Sequence, residues 1–287
     1  MEIIADPLKM QAQALKWRAQ GVKVVLVPTM GFFHQGHLSL MEYGRTLGDK
    51  LVVSLFVNPT QFGPSEDYHQ YPRDFERDAD MAAKGGVDLL YAPRVEAMYP
   101  SGYQTYVEVE RLSKGLCGAS RPGHFKGVTT VVLKLFHQVQ PLAAIFGEKD
   151  YQQLAIIRRM VADLNVPVEI VGRPIVREPD GLALSSRNTY LNPEERRSAL
   201  CLYRAVLAAR ELVATGENSR TKILKAVKQI ITQTPYTAID YLALVDPKTL
   251  EEVEAIPGEA RLALAVRVGK TLLIDNTLLT ESRLCCV

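Results

Sequence analysis

The 287-residue sequence is poor in the features that staple, anchor or charge a chain. Its four cysteines, Cys117, Cys201, Cys285 and Cys286, include no Cys-x-x-Cys pair. A disulfide scaffold is therefore excluded, and thiols in a reducing cytosol are expected. No apolar run approaches the roughly 18 residues of a membrane span, and the longest, at 51–57, is strand-sized. Residues 1–6 carry Glu2 and Asp6 and no apolar core, so no secretory leader is expected. Neither sign of charge dominates: 34 Lys and Arg face 32 Asp and Glu, a net of +2. The chain thus has no global field for binding nucleic acid or membrane non-specifically.

Several motifs are missing as well. There is no Gly-x-Gly-x-x-Gly, no Gly-x-Ser-x-Gly and no His-Glu-x-x-His, which argues against a dinucleotide enzyme, an α/β-hydrolase and a zinc protease. Gly269-Lys270-Thr271 imitates the end of a phosphate loop. Leu264 stands where that loop needs glycine, so a tight hairpin turn is expected there instead. No repeat or low-complexity tract occurs.

What remains is an ordinary globular composition, 47% apolar and 23% charged, long enough for about two domains. Apolar, β-branched runs at 22–27, 51–57, 88–91, 143–146 and 168–171 read as buried strands. Helical periodicity fills 36–47, 72–83, 124–139 and 151–164 between them. Strands alternating with helices of this length imply an α/β fold: a mostly parallel sheet with helices on both faces. Beyond about residue 173 the texture changes to two long helices, at 193–214 and 219–233. Strands at 238–245, 261–268 and 270–274 follow. The expected division is a nucleotide-binding domain over 1–175 and a smaller C-terminal α+β domain over 176–287.

The strongest local signal follows the first strand: Pro28-Thr29-Met30-Gly31-Phe32-Phe33-His34-Gln35-Gly36-His37. Ligands of open α/β sheets bind beyond the carboxyl ends of strands, and a helix N-terminus offers unpaired N–H groups to phosphate. His34 and His37, three residues apart, share a helical face. Two imidazoles can donate hydrogen bonds to charge building on an attacked α-phosphate without adding a fixed charge of their own. A helix cap or a metal pair would use the same two residues. Three other polar segments carry complementary groups. Asn58-Pro59-Thr60-Gln61-Phe62 and Gly147-Glu148-Lys149-Asp150-Tyr151-Gln152-Gln153 both follow strands. Leu184-Ser185-Ser186-Arg187-Asn188 follows Asp180-Gly181 and offers hydroxyls and a guanidinium to a polyphosphate. Each alone is also a polar turn. Taken together, they place α-phosphate chemistry on a carboxylate or phosphate at one sheet edge.

These segments, with Tyr71-Pro72-Arg73, Arg121-Pro122-Gly123-His124-Phe125 and 177–188, resemble the pantoate–β-alanine ligase (pantothenate synthetase) family over most of residues 22–195. Phe32-Phe33 departs from the smaller residue and Leu usual there. The resemblance implies a Rossmann-like parallel sheet plus the smaller domain closing over the site, a cytoplasmic homodimer, and an ATP-dependent ligase. Pantoate would attack ATP to give pantoyl adenylate, and β-alanine would then displace AMP. By matching position, Met30, Gly31, His34, Gly36, His37, Gly147, Glu148, Lys149, Asp150, Val176, Leu184, Ser185, Ser186 and Arg187 would line ATP. His37, His34, Lys149 and Arg187 would carry the catalysis. Gln61 and Gln153 would hold pantoate, and Asn58 would lie near β-alanine. Mg²⁺ would accompany the phosphates, with Asp78 resembling the family carboxylate near it. Segment 180–188, opened by Gly181, would act as a lid. Rival readings are an adenylyltransferase acting on a phosphate acceptor and a nucleotide-sensing module. No basic extension supports a tRNA synthetase.

Overall fold

The computed structural model describes residues 1–64 and 66–281; Cys285 and Cys286 lie outside them. In chain order the elements are β1 (Glu2–Ile4), α1 (Pro7–Ala19), β2 (Val24–Thr29), α2 (Gln35–Arg45), β3 (Lys50–Leu55), α3 (Phe75–Lys84), β4 (Leu89–Tyr91) and α4 (Val95–Met98). They continue with α5 (Cys117–Ser120), α6 (His124–Val139), β5 (Ala143–Gly147), α7 (Tyr151–Asp163) and β6 (Glu169–Arg173). Last come α8 (Pro193–Ala199), α9 (Cys201–Ala214), α10 (Arg220–Thr232), β7 (Thr237–Val245), β8 (Glu259–Val268) and β9 (Thr271–Thr280). They group into two compact units. One holds Met1–Ser113, Arg121–Glu148 and Gln153–Val176. The other holds Lys114–Ser120, Lys149–Gln152 and the chain from Arg177 onward.

The first unit is built on a six-stranded sheet of order β1-β4-β3-β2-β5-β6, parallel throughout. Its strands are continuous apolar runs because both faces are covered: Val25, Leu26, Val27, Leu51, Val52 and Val53 are all fully buried. Under α2 the core joins Phe33 and Met41 to Val25, Val27, Leu51, Val53 and Ile145. Strand β1 and helix α1 precede the first element that the sequence pattern predicts. Asp6 caps α1 by accepting from Leu8 and Lys9, Pro7 opens it, and Met10, Ala14 and Trp17 form its buried stripe. That stripe is narrow and flanked by exposed Leu8 and Leu15, which hides the periodicity. Helix α3 begins at Phe75 rather than at Pro72, because Asp74 takes the cap position and accepts from the Arg77 N–H.

The second unit packs α9 and α10 on one face of the antiparallel sheet β7-β8-β9. Val206, Ala209, Val213, Ile223, Val227 and Ile231 meet Leu244, Leu262, Leu264 and Val266. The single helix expected over 193–214 is two helices, α8 and α9. At Leu200 the N–H bonds the Arg197 carbonyl, three residues back, at 3.4 Å, and no Gly or Pro marks the break. Strand β9 runs on to Thr280, past the expected end at Ile274. The polar pair Asp275-Asn276 within it is bonded inside the unit, Asp275 to Arg177 at 2.6 and 2.8 Å. The turn at Gly269-Lys270 is a two-residue hairpin, with Val268 opposite Thr271 and Gly269 at φ +57°. No helix of the described residues is long and apolar enough to cross a membrane.

Candidate active site

In the first unit, strand order runs outward from β2 through β3 and β4, then restarts on the other side with β5. This reversal makes the carboxyl ends of β2 and β5 a topological switch point, where such sheets bind ligands. Residues 30–37 leave β2 there, and residues 58–61 leave the neighbouring β3. Gly147 ends β5, with Glu148 next in the chain. Cys117 and Cys201 are in no disulfide.

Immediately after Met30 the chain turns through Gly31 at φ +84° and Phe32 at φ +52°. Gly31 is required on two counts. Its φ is left-handed, and a Cβ would sit 3.0 Å from Asp78 Oδ2 and 3.2 Å from Leu55. His34, in an extended conformation, then caps α2. The Gly36 N–H donates to His34 Nδ1 at 3.2 Å, and the His34 N–H donates to His37 Nδ1 at 3.3 Å. The two histidines thus form a capping box, a part more often played by Ser and Glu. Because both Nδ1 atoms accept, each neutral ring carries its proton on Nε2. The rings stack at 4.1 Å between centroids. The cap reading and the donor reading of this pair are therefore compatible, since capping through Nδ1 fixes the donor at Nε2.

Asp78 does not face outward. It is 1% exposed and accepts from the Phe32 N–H at 2.5 Å and the Phe33 N–H at 2.7 Å. Burial holds its carboxyl above the ordinary range, against those two N–H groups and nearby Arg77. Among the described residues no group of three or more His, Cys, Asp or Glu could hold a metal ion.

The Asn58–Gln61 turn is bonded inward. Asn58, 1% exposed, donates to Gln61 Oε1 at 3.1 Å and to the Gly127 carbonyl at 3.0 Å. Its own oxygen accepts from the Thr60 N–H and hydroxyl. With its amide so engaged, Asn58 orients Gln61, whose Nε2 lies 3.0 Å from Met30 Sδ. His124 donates from Nδ1 to the Gln61 carbonyl at 2.7 Å, because its Nε2 faces the Arg121 guanidinium, which can only donate. Arg121 pairs with Glu66 at 2.5 Å. Burial would raise the Glu66 carboxyl, but the Arg121 bond and charge, with His124, hold it below its ordinary value. Glu66 was missed by sequence reasoning; it sits in a loop and shares no spacing with its partners.

In the second unit, Lys149 lies 3.8 Å from Asp150, and its carbonyl accepts from Asn276 Nδ2 at 2.9 Å. Asn276 in turn accepts from Arg261 at 2.5 Å. The Arg261 guanidinium lies 3.5 Å over the Tyr151 ring, whose hydroxyl donates to Pro247. Gln152 bonds the backbone of Cys117 and Gly115. Ser185 caps the turn Ser186–Tyr190 by accepting from the Arg187 N–H, next to half-buried Leu184. Gly181, expected as a flexible hinge, is buried at φ +98°, where a Cβ would lie 1.9 Å from the Tyr203 ring. Close packing, rather than freedom, requires glycine there. Val176 and Gln153 fall in the first unit, Gln153 half-buried in the first turn of α7.

A parallel sheet whose switch point carries a histidine-capped helix is the scaffold of an α/β nucleotide-dependent enzyme. The pantoate-beta-alanine ligase family model matches residues 2–278. The pantothenate synthetase of Geobacter sulfurreducens is 57% identical over 99% of this chain and 100% of its own. The crystal structure of pantothenate synthetase from Thermus thermophilus superposes with a TM-score of 0.92 at 50% identity, covering 96% of this chain and 99% of that one. The Francisella tularensis pantoate-beta-alanine ligase, solved with β-γ ATP and β-alanine, gives 0.80 at 32% identity over 97% of both chains. The chain belongs to the pantoate–β-alanine ligase family and is an amide-forming ligase.

Proposed function

We propose that this ligase makes pantothenate in two steps at the carboxyl edge of the parallel sheet. A pantoate carboxylate oxygen attacks the α-phosphorus of ATP, the bond to the β-phosphate oxygen breaks, and pyrophosphate leaves. The β-alanine nitrogen then attacks the acyl carbon of the adenylate, AMP leaves, and the amine gives up a proton. The observation that carries this reading is the histidine capping box at the switch point. Two Nε2–H donors fixed before substrate arrives cost no reorganisation when charge builds on the phosphate oxygens.

In the same reading Met30, Gly31, Gly36, Gly147, Glu148, Val176, Lys149, Asp150 and 184–187 would border the nucleotide, Lys149 and Arg187 neutralising the polyphosphate. Gln61 and Gln153 are neutral and can bind the hydroxyls of pantoate without competing for its carboxylate. Asn58 would serve β-alanine through the Gln61 turn. The described residues do not build a Mg²⁺ cage, and Asp78 is engaged by two backbone N–H groups. An ion arriving with ATP would take its ligands from phosphate oxygens and water.

The same reading places the enzyme in the cytoplasm and makes it a homodimer. In support of a dimer, residues 104–109 lie outside every helix and strand. The Val107 N–H turns inward to Thr130, and Tyr106 and Glu108 make no backbone pair among the described residues. That is an edge a second copy can pair with. Glu108→Pro should lower the dimer fraction in sedimentation velocity, and an unchanged profile would count against this edge.

The activity is tested by pyrophosphate exchange into ATP with a panel of hydroxy acids. Exchange with pantoate alone, and AMP release only once β-alanine is added, is expected. Exchange with phosphate acceptors instead, or ATP binding with no pyrophosphate release, would favour the rival readings.

A further inference from the structure

The turn that presents the histidines is held from outside. Gly31 and Phe32 both lie in the left-handed region, which is rare for an aromatic residue and persists only where its surroundings impose it. Such a turn converges successive N–H groups into a concavity that commonly cradles an anion. Here the anion is the protein's own: Asp78 accepts the Phe32 N–H on one oxygen and the Phe33 N–H on the other. Its neighbour Arg77 donates to the Phe33 carbonyl at 2.9 Å and stacks over the Phe32 ring at 5.1 Å. The Phe33 ring is fully buried, 5.6 Å from that of His37. The Phe33 carbonyl belongs to the peptide that leads directly into His34, the cap of α2.

We propose that Asp78 and Arg77, in the first turn of α3, are positioning residues that set the ring orientation and tautomer of His34 and His37 by holding the peptide groups of Phe32 and Phe33. The functional part of this rests on the reading of the two rings as phosphate donors; the structural part does not. If the clamp is loosened, the His34 N–H moves off His37 Nδ1 and the Gly36 N–H off His34 Nδ1. Each ring is then free to place its proton on Nδ1 and turn its donor away.

The test uses the full-length protein without nucleotide. Long-range ¹⁵N spectra of the histidine side chains should show His34 and His37 as single Nε2–H tautomers, each assigned by its own substitution. In Asp78→Asn one N–H meets the amide NH₂ instead of an acceptor, and both rings should become tautomer mixtures. The kcat of pyrophosphate exchange should fall about 10- to 10²-fold, the usual cost of misplacing a catalytic group by roughly 1 Å, with the ATP KM within about twofold. Arg77→Ala, at a half-exposed side chain, keeps the test alive if Asp78→Asn does not fold. It should give the same spectral change and a smaller loss of kcat. Wild-type spectra and kcat in the variant that folds would overturn the proposal. Recovery of Asp78→Asn activity on raising Mg²⁺ would also overturn it, by making Asp78 an ion ligand. If wild-type protein exchanges no pyrophosphate, the ligase reading fails while the spectra still decide the clamp.

Discussion

Gly127 offers the sharpest check on the geometry of the pantoate turn. It lies in the first turn of α6, against the Asn58–Gln61 segment, and its carbonyl accepts from Asn58. An added Cβ would sit 2.4 Å from the Thr60 carbonyl oxygen and 2.7 Å from the Gln61 nitrogen. Both are backbone atoms, so no side-chain rotation relieves the clash. Ordinary contact begins near 3.5 Å, so helix and turn must separate by roughly 1 Å. In Gly127→Ala the gain in helix propensity is only about 1 kcal/mol. Overpacking costs about 1–3 kcal/mol, and a stranded Asn58 amide costs about 1–3 more. The net is a destabilisation of roughly 1–5 kcal/mol, read as a lower urea midpoint. Because Gln61 moves with the turn, the half-saturating pantoate concentration should rise about tenfold or more, while that for ATP stays within about twofold. Gly115→Ala, where a Cβ meets nothing within 4 Å, is the control and should stay within about 0.5 kcal/mol. If Gly127→Ala is as stable as wild type with unchanged pantoate saturation, the turn is not gripped as described.

Other expectations follow from the same bonds. His37→Ala should slow adenylate formation about 10²–10³-fold in a single-turnover assay. It should also cost about 0.5–2 kcal/mol, because the lost ring is half of a helix cap; a rate within twofold of wild type would remove His37 from the chemistry. Lys149→Ala should lose as much rate with an unchanged melting midpoint, since Asn276 holds the Lys149 backbone and not its side chain. Gln61→Ala should weaken pantoate binding more than ATP binding in calorimetry, and equal losses would argue against a pantoate role. Glu66 and Asp88 are both held below the ordinary carboxylate range. The stability they contribute is therefore complete above about pH 4.5 and is lost as pH falls through their depressed folded values. Glu66→Gln should flatten that acid limb of the urea midpoint, and an identical limb would show the Arg121 pair to be inert.

Much of this protein is written in short-range order. The β-branched runs at 22–27 and 51–57 read as buried strands from the sequence, and β2 and β3 form there, at Val24–Thr29 and Lys50–Leu55. The polar segments after them could only stand at the carboxyl edge of the sheet, because parallel strands all end on one side. The spacing of His34 and His37 put them on one helical turn without reference to the rest of the fold. Periodicity is a local property, and a window of a few residues carries it.

The tertiary structure decided what those residues do. Asp78 lies more than forty positions from Phe32, and only folding turns a suspected ion ligand into a clamp on two peptide groups. Asn276 reaches Lys149 across 127 positions, which draws 149–152 into the second unit although the chain places them beside β5. The break at Leu200, the full length of β9 and the tight seat of Gly181 against Tyr203 likewise had no local signal. Each depends on a partner brought near by closure of the whole chain, and hydrogen bonds and close contacts act between neighbours in space, whatever their distance along the sequence.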